Sequence, residues 1–102
     1  MNLNRKTRIE SALNEHFKPK YCEVINESYL HQVPEHAETH FKIILISAQF
    51  EGLSRIKRHR MVHQALEAEL ETGLHALSLS LYSLIEWQQH PAIIQSPKCA
   101  HQ

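Results

Sequence analysis

The run His-Phe-Lys-Ile-Ile-Leu-Ile-Ser at residues 40–47 decides the fold. Phe41, Ile43, Ile44, Leu45 and Ile46 leave neither face of an extended chain polar, so the run reads as a strand buried on both faces. Upstream, residues 21–26 are β-prone and roughly alternating, which predicts a partner strand. Ile9, Ala12, Leu13, His16 and Phe17 recur at helical spacing and predict a first helix from near Asn4 to before Pro19. Between the two strands, residues 27–39 are polar, contain Pro34, Tyr29, His31 and His36, and are too long for a tight hairpin. Loops of that length in small domains usually carry function or move.

Downstream, Phe50, Gly52 and Ser54 punctuate the chain. Val62, Ala65, Leu66 and Leu70 then mark an amphipathic helix over 55–71, with Ser54 as N-cap and Gly73 as its C-terminal stop. Residues 74–82 alternate, His75, Leu77, Leu79 and Leu81 against Ala76, Ser78 and Ser80, which predicts a half-buried third strand with His75 at its mouth. Ser83 and Glu86 form a capping box for a short third helix ending before Pro91, with Tyr82 and Trp87 in the positions of a hydrophobic staple. The order α, β, β, α, β, α defines an α+β domain over residues 1–90, an antiparallel strand pair followed by a β-α-β unit. Residues 91–102 show no periodicity and are expected to form a disordered tail.

A chain of 102 residues, 42% hydrophobic and 22% charged, suits one domain with a modest core. Its apolar runs fall far short of the roughly 20 residues that span a bilayer, and its N-terminus is polar instead of signal-like, so the expectation is a soluble, cytoplasmic protein without a membrane role. Two cysteines, Cys22 and Cys99, offer no disulfide framework, which suits a reducing compartment. Eleven basic and eleven acidic residues cancel, so any nucleic-acid binding must come from a local patch.

That patch is the start of the second helix, where Arg55, Lys57, Arg58 and Arg60 oppose the helix dipole while Glu67, Glu69 and Glu71 occupy its other end. Broken local rules are enriched at functional sites, which points to an anionic partner. The same residues also fit a solvated face with salt bridges. The nine histidines form the second constellation, because imidazole both ligates metals and titrates near neutral pH. His31 and His75 lie too far apart for a local ligand pair and can meet only through the fold. A lone histidine on an apolar strand parity is more often a hydrogen-bonded core residue than a ligand. His59 and His63 sit at i and i+4 on the second helix, with no third ligand nearby. No phosphate loop, G-x-S-x-G elbow or C-x-x-C is present, and a strand cysteine such as Cys22 is more often a small buried hydrophobe than a nucleophile, so no enzyme activity and no small-molecule substrate are expected.

Taken in order, Glu27-Ser28-Tyr29 with His31, Thr39-His40-Phe41-Lys42, Phe50-x-Gly52, Arg58-His59-Arg60-x-Val62, His75-Ala76-Leu77, Glu86-Trp87 and Ser96-Pro97-x-Cys99 resemble the BolA family over nearly the whole chain. The resemblance implies an αββαβα domain similar to the class II KH fold, with a three-stranded mixed sheet and helices packed on one face. It implies a partner, a monothiol glutaredoxin, and a [2Fe-2S] cluster shared with that partner and glutathione. His75 and His31 match the family's cluster ligands. The loop position is cysteine in many relatives, and histidine there looks like the BolA-proper branch. The resemblance also implies transcriptional regulation in stress response through DNA binding by the second helix, with Gly52, Arg55, Lys57, Arg58 and Arg60 as the matching surface. The G-x-x-G loop of KH domains is absent, since Gly52 has no second glycine three residues later.

Overall fold

A computed structural model describes residues 4–28 and 38–91. Helix α1 spans Arg5–Phe17, capped by the Asn4 side chain, which accepts from the Thr7 N–H; Lys18 closes it in the left-handed conformation. Strands β1 (Tyr21–Asn26) and β2 (His40–Ile46) follow. A 3-10 turn at Ala48–Phe50 leads to α2 (Arg55–Ala65), then α3 (Glu67–Glu71), β3 (Ala76–Tyr82) and α4 (Leu84–Gln89).

β2 lies in the middle of the sheet, antiparallel to β1 with Val24 opposite Ile43, and parallel to β3 with His40 opposite Ala76. The expected α+β order and mixed three-stranded sheet are therefore present. Phe41, Ile43 and Leu45 face a core built with Ile9, Leu13 and Phe17 of α1 and Val62 of α2, so these two helices share one face of the sheet. Ile44 and Ile46, of opposite parity, are also fully buried. Both faces of β2 are covered, as its unbroken apolar run requires.

The structure departs from the expected second helix at Leu66. Its φ of −106° and ψ of 17° interrupt the helix and divide it into α2 and α3. Leu66 is itself buried, and the apolar spacing continues through the bend. β3 begins at Ala76 instead of residue 74, because the His75 and Ala76 N–H groups both donate to the Thr39 carbonyl before the ladder starts. The capping box at Ser83 and Glu86 is formed in both directions. The expected tail from residue 92 onward lies outside the described residues, as do Tyr29, His31 and His36. Among the described residues, no helix is long and apolar enough to cross a membrane.

Candidate functional site at the mouth of the sheet

Because β2 and β3 are parallel, both begin at the same end of the sheet, where β1 ends. That end is knotted by Ser28, whose Oγ accepts from the backbone N–H groups of Thr39 and His40 at 2.9 and 3.1 Å. Thr39 in turn accepts the His75 N–H at 2.8 Å through its carbonyl. The backbone of His75 is thereby fixed while its side chain is exposed. The expectation that a histidine of this strand parity packs into the core is corrected: His75 precedes the ladder, and the core-facing positions begin at Leu77.

The neighbour of His75 is His40, whose ring centroid lies 6.4 Å away with the planes tilted by 45°. The His40 Nδ1 is 2.8 Å from the Thr39 Oγ1, with the proton's owner set by the tautomer. His40 was not a candidate in the sequence, where it reads as the first residue of a strand. The pairing of strands two and three at that register would have found it, since position 40 lies opposite position 76. His31, the other expected ligand, falls outside the described residues. Among those described, no group of three or more His, Cys, Asp or Glu side chains is placed to hold a metal ion.

The basic start of α2 lies at the opposite end of the sheet. Ser54 caps it, its Oγ accepting from the Lys57 N–H at 3.2 Å. Arg55, Lys57 and Arg60 are exposed. Arg58 departs from this set. It is only 8% exposed: its Nε donates to the Leu53 carbonyl, Nη1 to the Leu81 carbonyl, and the two Nη atoms grip Glu86 at 2.7 and 3.1 Å. Its guanidinium is spent on the fold, so the outward cation set contracts to Arg55, Lys57 and Arg60. Arg58 also holds the Glu86 carboxyl below the usual carboxylate range. Gly52 is exposed in the turn before α2 at a φ of 76°, which glycine adopts without strain. Along α2, Arg55, Ile56, His59, Arg60 and His63 line a shallow groove of ≈ 430 Å³, and Ile56 is 64% exposed.

Cys22 packs against the core. Burial pushes its thiol up to about 11, far from the lowered range of a nucleophilic cysteine.

The chain matches the family model described as BolA-like protein over residues 13–86. It is 42% identical over 95 residues to the DNA-binding transcriptional regulator BolA of Escherichia coli (strain K12), covering 92% of this chain and 90% of that protein. It is 43% identical over 94 residues to BolA-like protein 1 of Bos taurus, covering 92% and 67%. Among solved structures it is similar to BolA1 from Mus musculus, with a TM-score of 0.77 and 38% identity over 84% of this chain and 70% of that one. The BolA domain of SufE1 from Arabidopsis thaliana gives a TM-score of 0.77 and 37% identity, covering 84% and 99%.

Proposed function

Because the chain belongs to the BolA family, we propose that it is a non-enzymatic partner of a monothiol glutaredoxin, lending imidazole ligands to a [2Fe-2S] cluster in iron-sulfur trafficking or iron and redox regulation. The observation that carries this reading is His75: an exposed imidazole on a backbone pinned by the Thr39 carbonyl. A ligand held on an ordered backbone at a surface mouth suits a cluster shared with a second protein. The donor set fits half a site. A cluster of this kind takes four protein-side ligands, and two histidines leave two places for thiolates from the glutaredoxin cysteine and glutathione. The protonated Cys22 thiol supports a non-catalytic role.

Mixing the protein with a monothiol glutaredoxin, iron, sulfide and glutathione is expected to give a visible circular dichroism spectrum distinct from that of the glutaredoxin alone, since imidazole in place of thiolate changes the charge of the centre. His75→Ala should abolish the distinct spectrum. An unchanged spectrum in that variant would remove His75 from the ligand set and the reading with it.

A second reading is favoured by the exposed cations at the start of α2 together with the naming of the Escherichia coli relative as a DNA-binding transcriptional regulator. In it, Arg55, Lys57 and Arg60 meet phosphates, with affinity that is electrostatic and salt-sensitive.

A further inference from the structure

Arg5 is the first residue of α1, and it touches both segments of chain that meet at His75. Its backbone N–H donates to Glu38 Oε1 at 3.1 Å. Its Nη1 donates to the Glu69 carbonyl at 3.2 Å and to Glu69 Oε1 at 2.7 Å, and its Nη2 to the Thr72 carbonyl at 3.0 Å. Glu38 immediately precedes Thr39, the acceptor of the His75 N–H. Thr72 lies three residues before His75 on the other segment. Between them is Gly73 at a φ of 128°, where a Cβ would stand 2.9 Å from Arg5 Nη2. Glycine at that position leaves room for the guanidinium.

The contacts exceed what docking α1 requires. Ile9, Leu13 and Phe17 already bury that helix at 0–3% exposure, so its attachment rests on the core. The connection from α3 to β3 is less secure: α3 buries no residue fully, and Leu74 is the apolar anchor of the connection. A side chain only 12% exposed, with donors directed at two backbone carbonyls and a carboxylate, supplies the missing restraint. Glu69 is shared with Arg8, which donates to it at 2.8 and 3.0 Å, and the two arginines hold its carboxyl below the usual range, so it stays charged for the clamp near neutral pH.

We propose that the Arg5 side chain is a positioning group for His75, fixing the connection from α3 to β3 that leads into it, while the Arg5 backbone N–H, kept in every variant, holds Glu38 on the other segment. The inference rests on the reading of His75 as the partner-facing ligand, and its test has one arm independent of that reading. In Arg5→Ala, amide hydrogen exchange at His75 and Ala76 should quicken by roughly tenfold or more while Ile44 and Leu45 keep their protection, the mark of local opening. Val62→Ala, a core truncation that removes none of the Arg5 hydrogen bonds, serves as the matched comparison and should leave the 75–76 amides in step with the rest of β3. In the reconstituted mixture with monothiol glutaredoxin, Arg5→Ala should lose at least about half of the mixed-complex dichroism at a temperature where both variants remain folded. Equal exchange patterns and equal spectra in the two variants would overturn the proposal. A wild-type mixture without any distinct spectrum would instead sink the ligand reading, and the exchange arm would still decide whether Arg5 orders the mouth.

Discussion

Arg58 shows how one residue leaves the group its neighbours define. In the sequence it is one of four cations within six positions, and charge alone makes them equivalent. Helical phase separates them, because Arg58, Val62 and Leu66 stand at i, i+4 and i+8 and all three are buried. The signal was therefore present, in the same periodicity that located the helix, but a basic run reads first as surface. The guanidinium also lies over the Phe50 ring, 5.9 Å from its centroid. Arg58→Ala should cost about 2–4 kcal/mol, since it strands two carbonyls and one end of an ion pair, whereas Arg55→Ala should stay within about 0.5 kcal/mol. Urea unfolding of the two variants measures the contrast; similar midpoints would mean that Arg58 is as dispensable to the fold as its exposed neighbours. His75 was legible only in part: its place at the strand mouth follows from alternation, but its exposure and its contact with His40 depend on register across the parallel pair.

At the scale of elements, the strands were legible because each carries its own pattern, a two-sided apolar run for β2 and alternation for β3. The caps were legible for the same reason, since Ser54 and Ser83 act on N–H groups within three residues. The break between α2 and α3 was not. Val62, Ala65, Leu66 and Leu70 keep helical spacing across it, so periodicity has no means of registering a turn whose purpose is tertiary, the delivery of Glu69 to Arg5 and Arg8. The functional content of α2 changes with the loss of Arg58 from its outer face. Three outward cations instead of four make three phosphate contacts, for which the logarithm of a DNA association constant should fall against the logarithm of salt concentration with a slope of about −3. Reversing the charges of Arg55, Lys57 and Arg60 should abolish that binding. Affinity indifferent to salt, or unaffected by the reversal, would refute a phosphate role for this helix.

Across the whole molecule, the two candidate surfaces sit at opposite ends of one strand. Thr39 and His75 mark the beginning of β3, while Arg58 reaches the Leu81 carbonyl near its end, and the six residues from Ala76 to Leu81 span about 17 Å. With a rigid central sheet between them, glutaredoxin at one end and duplex DNA at the other should bind with little mutual effect. Titrating glutaredoxin into the protein with and without saturating DNA should give affinities within about twofold of each other; a tenfold difference would mean that the surfaces overlap or communicate. The half-buried thiol of Cys22 acquires a meaning in the same setting. The proposed glutaredoxin partner and its glutathione would bring thiol–disulfide exchange to the protein, where reaction requires the ionised sulfur. With its pKa pushed up to about 11 by burial, Cys22 carries little thiolate at neutral pH. In the proposed complex with a glutaredoxin, a thiol held in this way is a poor participant in exchange, and Cys22→Ser is expected to leave the mixed-complex spectrum unchanged.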